Sequence, residues 1–216
     1  MFRFKCTCCD EWHEGMPGYS AEAPLYFHSI PAEERDRRCS LDADTCIVDD
    51  EYYFARGCLE IPVHGETEPF VWGVWVSLSQ NSFAIFKSSL ELPARAHLGS
   101  FFGWLSAELP LYPRTENLKT RLHLRDGIRP YIELEPTDHP LAVEQRSGMS
   151  IDRVAEIYAY YVHGQGRACA ASEARMLCAQ TKTPPPFPEA AFRIRTSKEE
   201  NFLSLAGLAA TYSPRA

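Results

Sequence analysis

The sequence predicts an α+β fold: a mainly antiparallel mixed sheet, a C-terminal helix packed on it, and a Cys-rich knuckle at the N-terminus. Three observations carry that prediction. Phe70–Leu78 reads FVWGVWVSL, apolar on both alternating faces, as a central strand requires. Residues 118–124 and 128–135 alternate around Asp126-Gly127, the mark of an antiparallel hairpin. Ile151–His163 places Val154, Ile157, Tyr158 and Tyr161 at helical spacing behind a Ser150 cap, giving one apolar stripe to lie on the sheet.

The remaining elements follow in order. Residues 1–20 are turn-rich, with Cys6-Thr-Cys-Cys9, His13 and Pro17-Gly18. Residues 31–38 predict a short helix with Pro31 at its first turn and acids before bases, which suits the helix dipole. Residues 52–54 and 58–63 are strand candidates, with Pro62 requiring an edge or a bulge. Ser79 or Asn81 caps a helix through about Leu90, and residues 101–109 read as another strand. In the hairpin, a three-residue loop with Gly127 in the left-handed region pairs Leu124 with Ile128, Leu122 with Pro130 and Thr120 with Ile132. That register leaves Lys119, Arg121, His123, Arg129, Tyr131, Glu133 and Glu135 together on the opposite face. Pro136-Thr-Asp-His-Pro140 is a turn into a short helix over 141–146.

Gly164-Gln-Gly166 marks a boundary, so the chain divides into an α+β domain over 1–163 and an extension over 164–216. The extension reads as helical pieces around Thr183-Pro-Pro-Pro-Phe-Pro188, the last opened by the capping-box pattern Ser197-Lys-Glu-Glu200.

Composition bounds the function. The 216 residues are 45% hydrophobic and 24% charged, values of a globular chain rather than a disordered or fibrous one. Lys+Arg 22 against Asp+Glu 29 leaves net −7, which argues against nucleic acid or an anionic membrane as the main partner. No apolar run has the length of a signal peptide or a membrane span, so a cytoplasmic location is expected.

The compositional anomaly is eight cysteines, six of them (6, 8, 9, 39, 46 and 58) in the first 58 positions. In a reducing cytoplasm, thiols serve as ligands, buried small hydrophobes or reactive groups rather than as cystines. Cys6-x-x-Cys9 has the spacing by which a tight turn presents two thiolates to one zinc, and His13 follows four positions later. The metal-ligand candidates are therefore Cys6, Cys9, Cys46 and His13, with Cys39 and Cys58 as alternates. Cys46 ranks as third ligand because it precedes a strand start at Ile47-Val48. A structural zinc is preferred over buried unliganded thiols, and both over a redox dithiol, which lacks the helix N-terminus that lowers a reactive thiol's pKa.

The polar hairpin face is the second candidate, with Arg121, His123, Arg129, Tyr131 and Glu133 as its binding residues. A solvated face with cross-strand ion pairs is the first expectation, a binding face for a charged ligand or partner the second, and a catalytic site the third. Weak catalytic candidates are Glu135, Asp138 and His139, because a His beside carboxylates can move protons. His139 before Pro140 reads better as a cap or turn residue. The acids at 42, 44, 49, 50 and 51 fail the spacing of a calcium loop. Trp72, Trp75 and Trp104 sit in strand patterns and read as core. No phosphate loop, nucleophile elbow or His-Glu-x-x-His occurs.

Several blocks resemble one bacterial family: Cys6-x-x-Cys9-x-x-x-His13-Glu-Gly15, Arg56-Gly-Cys-Leu-Glu-Ile-Pro-Val63, Phe70-Val-Trp-Gly-Val-Trp-Val-Ser-Leu78, Phe102-Gly-Trp-Leu105, Asn117-Leu-Lys-Thr120 and Glu133-Leu-Glu-Pro-Thr-Asp-His-Pro-Leu-Ala-Val-Glu-Gln-Arg146. They are similar to domain of unknown function 2199, over about residues 4–163. The resemblance implies a single domain there and makes the Cys6/Cys9 pair a family feature. It implies no activity, substrate or partner. Residues 164–216 fall outside it, and Cys8 is an extra thiol. The reading that follows is a binding or interaction protein with a structural zinc and an unidentified protein or small-molecule partner. The alternatives are a hydrolase-like enzyme using Glu135, Asp138 and His139, or a thiol redox protein.

Overall fold

The computed structural model describes residues 1–164 and 192–194. The first residues, expected as turns, form a small hairpin of β1 (Arg3–Lys5) and β2 (Trp12–Glu14), with Phe4 opposite His13. Strands this short carry little periodicity, which is why turn signals dominate the sequence there. β3 (Gly18–Ala21), α1 (Leu25–Ser29) and α2 (Ala32–Arg38) follow, the last matching the predicted Pro-led helix. β4 (Cys39–Leu41) and β5 (Thr45–Val48) then lead to β6 (Tyr52–Ile61), one continuous strand where two were expected. Pro62 stands just past its end, where its missing N–H costs no ladder bond.

β7 (Phe70–Leu78) is the central strand, and Ser79 caps α3 (Gln80–Ser89) by accepting from the Ser82 N–H. β8 (Ser100–Leu105) is shorter than predicted. After β9 (Lys119–His123) and β10 (Tyr131–Leu134) come α4 (Pro140–Ser147) and α5 (Ile151–His163), the latter with the predicted Ser150 cap. β11 (Phe192–Ile194) pairs antiparallel with β3. The helical pieces expected around the Pro-rich segment lie outside the described residues.

The main sheet curls into a ring. β6 and β7 pair antiparallel from Tyr53–Leu78 to Ile61–Phe70. The far edge of β7 is shared: β3 runs parallel to it at residues 71–73, and β8 antiparallel at 76–77. β9 and β10 continue from β8, and β10 returns parallel to β6 at Tyr131–Cys58. The strands β7, β8, β9, β10 and β6 thus close on one another, and β5 with β4 extends from the N-terminal half of β6. Closure leaves one dominant core, in which Leu59, Ile61, Val74, Val76, Leu105, Leu122 and Ile132 are fully buried; Val154 and Ile157 of α5 join it. A second cluster lies outside the ring, where Trp75, Phe54, Val48 and Cys46 meet Ile30. Trp72 and Trp75 are core, as expected. Trp104 is not: β8 turns Phe102 and Trp104 outward, 43% and 40% exposed, while Leu105 points in.

The β9–β10 hairpin keeps its predicted faces but not its predicted partners. Leu122 lies opposite Ile132 and Thr120 opposite Leu134, two residues farther along β10 than the three-residue loop allows. A shift of two preserves the face of each strand residue, because side chains alternate with period two, whereas Ile128, expected on the apolar face, falls in the loop and is 54% exposed. The longer loop is held from outside the hairpin. Asp126 Oδ1 accepts from the Arg95 and Ala96 N–H groups (2.6 and 2.7 Å). The buried Arg95 guanidinium donates to the carbonyls of Arg125 (2.9 Å) and Ile128 (2.7 Å). Gly127 has φ +67°, the left-handed conformation predicted for it.

Candidate metal centre

The alternation of β1 exposes Arg3 and Lys5 and buries Phe4, so the next inward residue is Cys6. A turn follows in which the Cys6 N–H donates to the Glu11 carbonyl (2.8 Å) and Asp10 adopts φ +62°. That turn brings Cys9 back beside Cys6 and aims the Cys8 N–H at Cys6 Sγ (3.4 Å).

The other half of the site comes from α5. Its buried stripe of Val154, Ala155 and Ile157 seats the helix on the core. Tyr158, one residue on, meets Phe4 edge-on at 5.0 Å between ring centroids. His163 is the last helical residue, before Gly164 at φ +80°. Its Nε2 lies 3.3 Å from Cys6 Sγ, across 157 positions of sequence. Ligand atoms of Cys6, Cys9 and His163 lie within 4.8 Å of one another; among the described residues they form the group of His, Cys, Asp or Glu able to hold a metal ion.

The Cys9 thiol is lowered by the backbone at Glu11, but desolvation and the adjoining Cys6 thiol outweigh this and raise it. Two thiols this close oppose each other's ionisation, and a bound cation removes that opposition while deprotonating both.

His13, predicted as a ligand, stands at the edge of the group. Its Nε2 is 3.6 Å from Cys9 Sγ and its Nδ1 3.1 Å from the Tyr158 hydroxyl. Cys46, the expected third ligand, is elsewhere. It sits fully buried on β5 in the second apolar cluster, and burial, with Cys39 and Asp42 adding to it, pushes its thiol up to about 12. Cys39 packs against the same cluster, and Cys58 lies on β6. Neither alternate reaches the group formed by Cys6, Cys9 and His163. His163 takes the third place, and sequence reasoning missed it because a helix-terminal His has no local ligand signature.

The polar hairpin face is an array of ion pairs around a shallow cavity of about 520 Å³. His123 Nε2 lies 2.7 Å from Glu133 Oε2, and Lys119 pairs with Glu135 at 3.7 Å. Arg125 reaches Glu60 at 2.6 Å, and Arg129 reaches Asp44 at 2.8 Å. The cavity lies between these groups, lined by Glu60, His123, Arg125, Tyr131, Glu133 and Gln145. Of the predicted binding residues, His123, Tyr131 and Glu133 line it; Arg121 lies exposed beside Phe102 on β8, and Arg129 is drawn to Asp44. The Gln145 amide closes its floor, its oxygen accepting from the Leu134 N–H (2.8 Å) and its nitrogen donating to the Ile132 carbonyl (2.7 Å). Sequence reasoning missed Gln145, Glu60 and Arg125.

The weak catalytic candidates do not converge. His139 caps α4, with Nδ1 accepting from the Leu141 N–H at 3.2 Å and Pro140 opening the helix. Glu135 is taken by Lys119, Asp138 is exposed, and none of the three lines the cavity. A catalytic acid–base set needs its members within reach of one reacting atom, so this turn is a helix start.

Fold and site together define a small α+β protein built on a closed five-strand ring, with a Cys/His cluster joining its N-terminal hairpin to α5. The chain belongs to the family described as "Uncharacterized protein conserved in bacteria (DUF2199)", whose profile matches residues 5–149. Cys6, Cys9 and His13 fall inside that match, and His163 falls beyond its end. No curated protein and no solved structure matches the chain.

Proposed function

We propose that this protein is a cytoplasmic bacterial binding protein whose N-terminal hairpin is fastened to α5 by a structural zinc ion. The observation that carries the reading is the convergence of Cys6, Cys9 and His163 from opposite ends of the domain. Thiolate and imidazole donors suit zinc and exclude calcium and magnesium, which take oxygen ligands. The hairpin needs such a fastening. It is a separate two-stranded sheet of three-residue strands, and an isolated pair of strands is marginal in water. Zinc binding to folded but not unfolded chain adds its free energy to stability.

The cavity between Glu60, His123, Arg125, Tyr131 and Glu133 supports the binding role, for a small molecule or a protein segment. Its alternating charges suit a ligand bearing both signs, and the net charge of −7 disfavours nucleic acid. No described helix is long and apolar enough to cross a membrane.

Metal analysis of protein purified without added zinc tests the reading. About one equivalent per chain is expected, lost in Cys6→Ser and in His163→Ala and retained in Cys46→Ser. Less than about a tenth of an equivalent, unchanged by Cys6→Ser, would overturn it.

A further inference from the structure

We propose that His13 is the fourth ligand of this metal, so that Cys6, Cys9, His13 and His163 form a closed Cys2His2 centre. The inference rests on the zinc reading and deepens it, because the number of protein ligands decides what the metal can do. A structural zinc has four protein ligands, whereas a catalytic zinc keeps one position open for water or substrate.

The structure supplies two of the four sulfur–nitrogen edges of such a tetrahedron. With Zn–S of about 2.3 Å and Zn–N of about 2.0–2.1 Å, tetrahedral coordination separates sulfur from nitrogen by about 3.6 Å. Cys6 Sγ and His163 Nε2 are 3.3 Å apart, and Cys9 Sγ and His13 Nε2 are 3.6 Å apart. His13 does not share the 4.8 Å sphere common to the other three. Metal binding therefore draws its imidazole inward, a movement that rotation about its side-chain bonds provides.

Local structure already aims that ring. β2 turns Trp12 and Glu14 outward and sets His13 opposite Phe4 on the face toward α5. The imidazole packs on Tyr158 at 4.5 Å and on Phe4 at 5.6 Å between ring centroids. Nδ1 faces the Tyr158 hydroxyl at 3.1 Å. A proton on Nδ1 donated to that oxygen leaves the Nε2 lone pair on the Cys9 side. This is the outer partner that ligating histidines use to set tautomer and orientation. Tyr158 is accordingly a positioning residue. Among the described residues, His13 brings a ring nitrogen to 3.6 Å from Cys9 Sγ, which makes it the side chain placed to close the group.

The test is titration of the reduced, metal-stripped full chain with cobalt(II), whose visible absorption reports coordination, with azide added as a probe for an open position. Wild type is expected to bind one equivalent with a tetrahedral spectrum that azide leaves unchanged. His13→Ala should weaken binding by more than the roughly 10–100-fold that an outer partner is worth, and its spectrum should shift with azide. Tyr158→Phe should weaken binding by about 10–100-fold and remain insensitive to azide. A wild-type spectrum that shifts with azide, or His13→Ala binding with wild-type affinity, overturns the fourth ligand and leaves the zinc reading standing. Failure of wild type to bind cobalt, or undiminished binding by the Cys6→Ser, Cys9→Ser double variant, overturns the zinc reading and the fourth ligand with it.

Discussion

Gly57 on β6 lies so close to Ile132 on β10 that a Cβ at position 57 would stand 2.6 Å from the Ile132 Cδ1 and 3.0 Å from the Pro130 carbonyl oxygen. That carbonyl accepts from the Cys58 N–H at 2.8 Å, beside the Tyr131–Cys58 pairing that completes the ring. The ring closes at this point because position 57 has no side chain.

Gly57→Ala should therefore destabilise the fold by about 1–3 kcal/mol, the usual range for overpacking a filled core. Denaturant unfolding measures it as a lower midpoint at unchanged slope. A midpoint equal to wild type would mean that Ile132 moves aside freely, and that the close approach does not limit closure.

Gln145 does for β10 what a neighbouring strand would otherwise do, since its amide bonds both Leu134 N–H and Ile132 C=O in a buried place. Gln145→Leu leaves both groups without their partner, at about 1–3 kcal/mol for each buried polar group left unsatisfied. Hydrogen exchange should show the Leu134 amide losing protection while the β6–β7 amides keep theirs. Unchanged protection at Leu134 would count against this role.

Chelation should loosen the ends of the domain before its middle. The hairpin Arg3–Glu14 and the last turn of α5 meet through Cys6, Cys9 and His163, the proposed metal ligands, and through the Phe4, His13 and Tyr158 rings. The ring strands are held by pairing independent of the metal. A chelator should raise hydrogen exchange at residues 3–14 and 158–163 and lower Tm, leaving β6 and β7 protected. Uniform loss of protection would show that the metal holds the whole fold.

Acid should weaken the 125–129 loop through Asp126. The Ala96 and Arg95 N–H groups hold its carboxyl below the ordinary range, outweighing desolvation, with His97 and the Arg95 charge adding to them. A carboxyl depressed in the folded state stabilises it above the unfolded value, near pH 4, and that contribution fades as pH falls through the folded value. Asp126→Asn should lie below wild type at neutral pH and converge toward it in acid, as followed by unfolding midpoints between about pH 2 and 7. Parallel curves over that span would contradict it.

Much of this was legible in the chain because it is local. Ser79 and Ser150 cap α3 and α5 as their spacing implies, and the stripe of α5 lies on the core. The hairpin faces also read correctly, since period-two alternation survives a shift of two residues, but their register did not. The loop length depends on Arg95 and Asp126 bonding across some thirty positions, which periodicity does not encode. Cys46, expected just before a strand, lies within β5, and that strand carries it into an apolar cluster rather than to Cys6.

By itself, the sequence determined the central strand β7, the capped helices α3 and α5, the two faces of the β9–β10 hairpin, and the Cys6-x-x-Cys9 spacing with His13 four positions on. Tertiary structure alone decided the closure of the ring at Gly57, the cavity floored by Gln145, and the arrival of His163 at Cys6 Sγ. The physical reason is reach. Periodicity, caps and Cys-x-x-Cys spacing act over a few residues. The 157 positions between Cys6 and His163 are spanned only once the apolar stripe of α5 is buried against the folded core.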